Sequence, residues 1–173
     1  LVEHFFDQLH DRCIADIAPL LERTGDQSPE NTYGELTPHF ISTLCLQTSL
    51  SPSSTFLDLG SGVGQVCMQT SLETGCTSFG IERDGRCHAV AMTHFAQFAL
   101  RAQLWGAAHG SVHLRHGDFL ACPAFVEEEL LTVADVVLVN NLKLEPESDW
   151  ELQRKLTQRL KSGAVVVSTR PLA

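Results

Sequence analysis

Several things are missing from this sequence, and each absence narrows the field. No apolar run reaches the length needed to span a bilayer. The first residues, LVEHFFDQLHDR, are too mixed and charged for a secretory leader. The six cysteines, at 13, 45, 67, 76, 87 and 122, form no CxxC and no zinc-like spacing, so they read as free thiols of a reducing compartment. The eight histidines show no ligand spacing either, and no metal site is expected. Basic residues form no dense run in a chain of net charge −9, so this segment by itself predicts weak, non-specific DNA affinity. Internal repeats and low-complexity tracts are absent. The chain opens on Leu1 rather than Met, which reads as a piece of a longer protein.

What is present is a chain of 173 residues, 43% hydrophobic and 19% charged, enough for one α/β core. Residues 1–23 carry Val2, Phe5, Phe6, Leu9, Cys13, Ile14 and Ile17 at helical spacing. A Gly/Pro/Ser/Asn-rich loop covers 24–38, and a second helix is predicted over 39–50. Short apolar segments then alternate with helical ones. Strands are predicted at 55–59, 77–82, 112–116, 134–140 and 164–168, and helices at 63–73, 84–105, 125–131 and 147–161. That order predicts a doubly wound, mostly parallel, Rossmann-like sheet with helices on both faces, preceded by an N-terminal helical segment. We divide the chain into residues 1–50, the helical segment and a covering loop, and residues 51–173, the α/β core. AVVVS at 164–168 would leave an apolar edge, so further strands are expected beyond it.

The stretch TFLDLGSGVGQ, residues 55–65, places Gly60, Gly62 and Gly64 directly after the first strand, where ligands of such sheets bind. It is not a dinucleotide fingerprint, because Gln65 stands where G-x-G-x-x-G needs its third glycine. It is not a phosphate-binding P-loop, because no Gly-Lys-Ser/Thr follows. Acids surround it instead. Asp58 precedes the loop, Glu82 closes the second strand 22 residues after Gly60, and Asp118 follows the third strand. Carboxylates repel phosphate but accept hydrogen bonds from ribose hydroxyls and amino groups. S-adenosylmethionine matches that set: adenosine, sulfonium, α-ammonium, and a carboxylate that backbone N–H groups can hold.

Four segments together resemble the Dot1 family of histone lysine methyltransferases: YGEL (33–36), DLGSGVGQ (58–65), GDF (117–119) and VNN (139–141), with SGAVVVSTRP (162–171) as a fifth likeness. The resemblance implies that Tyr33, Gly34, Glu35 and Leu36 close over the methionine moiety. It implies a cradle of Phe56, Asp58, Gly60, Ser61, Gly62, Gly64 and Gln65, with Asp58 on the ammonium. Glu82 would hold the ribose, and Asp118 and Phe119 the adenine. Asn140, with Tyr33, would be catalytic, and Leu142 and Leu144 would wall a lysine channel. The family usually has aromatic residues where Leu142 and Leu144 stand. The implied reaction is methyl transfer to a lysine of the histone H3 core in nucleosomes, in the nucleus, with S-adenosylhomocysteine as product. Two other functions are consistent with the residues: a methyltransferase for a non-histone protein or small molecule, and a non-catalytic module that binds the methyl donor. Nothing in the sequence fixes an oligomeric state.

Overall fold

The computed structural model describes residues 2–14, 36–121, 129–142 and 144–172. Five strands form one fully parallel sheet: β1 (Thr55–Leu59), β2 (Thr77–Glu82), β3 (Val112–His116), β4 (Val136–Val139) and β5 (Val165–Ser168). Their order is β3-β2-β1-β4-β5. The helices are α1 (Val2–Cys13), α2 (Pro38–Gln47), α3 (Gln65–Thr74), α4 (Gly85–Trp105) and α5 (Pro146–Arg159). The chain winds outward from β1 in one direction through β2 and β3, then returns to the other side of β1 through β4 and β5. A crevice therefore opens at the carboxyl ends beside β1, the switch point of the sheet.

The expected doubly wound class is what the structure has, with small shifts of boundary. The helix predicted from residue 63 begins at Gln65, because Gly64 takes φ +77° and caps it. The strand predicted over 134–140 is confined to Val136–Val139. α1 ends at Cys13; the rest of the predicted first helix, the loop through residue 35 and most of the predicted 125–131 helix lie outside the described residues.

Each face of the sheet buries a different helix. Leu152 and Leu156 of α5 pack against Leu57, Leu59, Ile81, Val137 and Val139. On the other face Cys67 of α3 meets Phe56, Val136 and Leu138. β4, with VVLV buried throughout, has the continuous apolar character of a strand covered on both sides. α1 adds an outer layer. Phe5, Phe6 and Leu9 cluster with Met68 and with Phe98 of α4, and Phe6 stacks on Phe98 at 6.0 Å between centroids. Cys45, Cys67, Cys76 and Cys87 are buried free thiols, as expected of small core residues; Cys122 lies outside the described residues.

One close approach fixes the loop after β1. A Cβ on Gly80 of β2 would lie 2.7 Å from Ser61 Oγ and 2.9 Å from Leu114 Cδ2. The bare glycine lets the loop lie on β2, where the N–H groups of Gly60 and Ser61 both donate to the Ile81 carbonyl, at 2.9 and 3.0 Å.

Phe98 is fully buried and touches both α1 and α3. Phe98→Ala is expected to lower unfolding free energy by about 3–5 kcal/mol. Chemical denaturation, read by tryptophan fluorescence and by circular dichroism, checks it.

Candidate active site

A single cavity at the carboxyl ends of β1, β2 and β4 gathers most of the residues singled out above. Leu36, Asp58, Gly60, Ser61, Gly62, Gln65, Glu82, Asp118, Phe119, Asn140 and Leu144 all line it. Segments that are far apart in the chain meet here because parallel strands end at the same level.

Asp58 is its most unusual member. The side chain is 3% exposed, and it makes no hydrogen bond or ion pair among the described residues. Burial, reinforced by the neighbouring Glu82 charge, pushes its carboxyl from 3.8 up to about 7. A buried acid near neutrality without a counter-ion is a seat prepared for a cation.

Glu82 is oriented by backbone. Its Oε2 accepts the Gly62 N–H and its Oε1 accepts the Asp84 N–H, each at 2.7 Å. Each oxygen keeps a further lone pair, so the same carboxylate that pins the glycine loop can still accept hydroxyl protons. Asp118 behaves similarly at the next strand. Its Oδ1 accepts Leu120 N–H at 2.8 Å, and its Oδ2 lies 3.8 Å from the Arg83 guanidinium at the rim. Phe119 is half-buried against the α5-side core and gives the cavity an aromatic wall beside Asp118.

The start of α3 adds donors. The first N–H groups of a helix have no partner within it, and Gly64 as N-cap offers no side chain to satisfy them. Gln65 follows, with its Oε1 buried and unpartnered. The wall therefore alternates acids with helix-terminal N–H groups, an arrangement that suits a zwitterion.

Three expected members are elsewhere. Phe56 is fully buried in the core with Leu44, Cys67, Val136 and Leu138, one pleat repeat below Asp58, and does not reach the cavity. Gly64 caps α3 rather than lining the wall. Leu142 is 61% exposed and turns away from the cavity, so only Leu144 of the pair borders it. Tyr33, Gly34 and Glu35 lie outside the described residues.

Sequence reasoning missed others. Arg83, Asp84 and Cys87 enter the wall because α4 begins immediately after β2. Burial and the charges of Glu82 and Asp84 push the Cys87 thiol up to about 12, so it stays protonated and inert. Asn141 is fully buried, and its carboxamide is completely used: Oδ1 accepts Arg170 N–H at 2.9 Å, while Nδ2 donates to Asp149 Oδ1 at 3.0 Å and Arg170 O at 3.2 Å. Arg170 closes the network on Asp149 Oδ2 at 2.9 Å and on the Leu144 carbonyl at 3.3 Å. The VNN segment thus divides its labour, with Asn140 facing the cavity and Asn141 tying three chain segments together behind it.

Comparison with known proteins resolves the family. The family profile described as "Histone methylation protein DOT1" matches residues 11–173. This chain belongs to the DOT1 family. It is 38% identical over 169 residues to a protein of Emericella nidulans named "Histone-lysine N-methyltransferase, H3 lysine-79 specific", and 39% identical over 170 residues to one of the same name from Chaetomium globosum. The matches span 98% of this chain but 33% and 32% of those proteins, so the chain spans about a third of the length of its curated relatives. Among solved structures, an O-methyltransferase from Bacillus cereus in complex with SAH aligns with a TM-score of 0.64 at 14% identity, over 94% of this chain and 66% of that one. An RNA methyltransferase from Salinibacter ruber in complex with S-adenosyl-L-homocysteine aligns with a TM-score of 0.61 at 22% identity, over 78% and 76%. At these identities the likeness is one of fold.

The raised carboxyl of Asp58 has a consequence for stability in the absence of any ligand. Between 3.8 and about 7 the folded protein keeps a proton that the unfolded chain has released. Stability therefore falls as pH climbs through that interval, by on the order of 4 kcal/mol, and levels off above it. Asp58→Asn is expected to remove this decline and to raise the melting temperature of the ligand-free protein at pH 8. Calorimetric scans of both proteins from pH 5 to 8 check it.

Proposed function

We propose that this chain is the catalytic core of an S-adenosylmethionine-dependent protein-lysine methyltransferase acting on histone H3 in nucleosomes, and that it works in the nucleus. The observation that carries the reading is the buried Asp58 carboxylate, unpartnered among the described residues, at the mouth of a glycine loop free of lysine and arginine. A nucleotide phosphate would meet like charge there, whereas an α-ammonium would meet its counter-ion.

The residues present fit the donor part by part. Asp58 holds the ammonium. The first N–H groups of α3, with the loop of Gly60, Ser61 and Gly62, hold the carboxylate. Glu82 takes the ribose hydroxyls, and its bonds to Gly62 and Asp84 keep it aimed. Asp118 accepts the adenine amino group, and Phe119 packs on the ring. Tyr33, Gly34, Glu35 and Leu36 cover the methionine end, residues 1–50 serving as cover and residues 51–173 as cradle. When bound, the donor supplies an electrophilic methyl carbon to an amine nitrogen and leaves as S-adenosylhomocysteine.

The chain's own contribution to the chemistry is placement and desolvation. A free lysine, with a pKa of about 10.4, arrives charged and must lose its proton before it can act as a nucleophile. Val139, Leu144 and Leu36 on the cavity wall disfavour the ammonium form, and Asn140 meets the amine at the rim. Positioning of two reactants supplies a large part of such a rate. The net charge of −9 leaves the grip on nucleosomal DNA to other segments or partners.

The test uses the full-length protein, reconstituted nucleosomes and a methyl-labelled donor. Label on histone H3 is expected. Donor binding with label only on other substrates would overturn the histone assignment, and absence of donor binding would overturn the whole reading. Asp58→Asn is expected to weaken donor affinity by about ten- to a hundredfold, the loss of a charge-assisted contact. Asn140→Ala is expected to keep donor affinity while lowering turnover about tenfold or more. Calorimetry and single-turnover assays separate the two.

A further inference from the structure

β4 and β5 pair in parallel with Val139 opposite Ser168, so the next residue of each strand, Asn140 and Thr169, emerge side by side above the sheet. The Thr169 N–H bonds to the Val139 carbonyl at 3.3 Å, which holds it at that level. Its hydroxyl then lies 2.9 Å from Asn140 Oδ1 and 3.4 Å from Asn141 Oδ1. A hydroxyl has one proton to give. Asn141 Oδ1 already accepts the Arg170 N–H at 2.9 Å, so the shorter contact to Asn140 takes the proton.

Asn140 is exposed at the cavity wall, and Thr169 is not among the residues lining that cavity. Among the described residues the Asn140 carboxamide has no other hydrogen-bond partner, so nothing else there decides which of its ends faces the opening. We propose that Thr169 is the positioning residue for Asn140: its hydroxyl proton, given to Oδ1, turns the Nδ2 protons toward the incoming amine. The proposal rests on the methyltransferase reading for its chemical consequence, but the orientation itself does not.

The consequence concerns protonation. An ammonium is a donor only and gains nothing from N–H groups, and the single lone pair of a neutral amine is kept for the methyl carbon. An Asn140 held with Nδ2 outward therefore gives no support to the charged substrate. With the Thr169 hydroxyl removed, the carboxamide is free to turn over. Oδ1 then accepts from the ammonium and stabilises the unreactive form. Thr169→Val keeps the shape and deletes the proton donor, and Thr169→Ser keeps the donor.

The first arm of the test needs no turnover. In full-length protein labelled with ¹⁵N at asparagine, the Asn140 side-chain signal, assigned by its loss in Asn140→Asp, is followed in Thr169→Val and Thr169→Ser. A displaced or broadened signal in the valine variant and a parental one in the serine variant are expected. An unmoved signal in the valine variant overturns the proposal, as does an equal change in both variants. Absent transfer by the parent protein would count against the proposed function alone, since this arm still decides the orientation. The second arm is kinetic. Thr169→Val is expected to lower kcat about tenfold with donor affinity kept, and to move the pH dependence of kcat/KM for the lysine substrate upward, with Thr169→Ser restoring both. Lost donor affinity in Thr169→Val, or an unchanged pH profile, overturns the positioning role.

Discussion

One constraint organises the cavity: a carboxylate has been carried inside the protein without a counter-charge. Asp58 lies at the end of the central strand, under the glycine loop, with a second acid, Glu82, close enough to raise it further. A fold can keep such a group because the sheet around it is covered on both faces and contributes far more than the acid takes away. Evolution has cheaper residues for a strand end than a buried unpaired acid. Such a position costs stability, the pattern expected where binding rather than folding sets the requirement.

Other features follow from housing that acid. Glu82 must stay nearby and hold its aim, so one oxygen is bound to the loop at Gly62 N–H and the other to Asp84 N–H. The loop must turn sharply over Asp58, and Gly60, Gly62 and Gly64 all take the positive φ that side chains rarely adopt. Ser61 must tuck against β2, which only a glycine at position 80 permits. These are separate sequence features, but they answer one geometric demand.

Much of this half of the site was legible in the sequence, because its parts lie within a few residues of strand ends. Alternation of apolar and helical segments gave the sheet, and an acid at the end of a strand can be found by counting. Depth and partnership could not be counted. Phe56 and Asp58 share a face by strand alternation, yet two residues of strand move a side chain about 7 Å further from the opening, and that distance puts Phe56 in the core. Leu142 and Leu144 both looked like channel walls. The turn that follows Asn141, closed by Leu144 N–H on the Asn141 carbonyl at 3.2 Å, sends the first to solvent and returns the second to the cavity. Asn141 could not be told from Asn140 in the pair, since its role is made by Asp149 and Arg170, 8 and 29 residues away.

The two halves of the cavity therefore differ in kind. Around β1, β2 and β3 the contacts run through backbone groups at neighbouring strand ends: Gly62 N–H on Glu82, and Gly60 and Ser61 N–H on the Ile81 carbonyl. Around β4 and β5 the wall is held by a relay of side chains in which Arg170 fixes Asn141, Asp149 and the Leu144 carbonyl together, while the adjacent Thr169 reaches Asn140. Backbone donors and acceptors persist through most side-chain substitutions. A wall made by one dipeptide after β5 does not, because a single substitution there disturbs several lining groups at once. The wall at Asn140 and Leu144 is accordingly set in part by residues that do not themselves line the cavity.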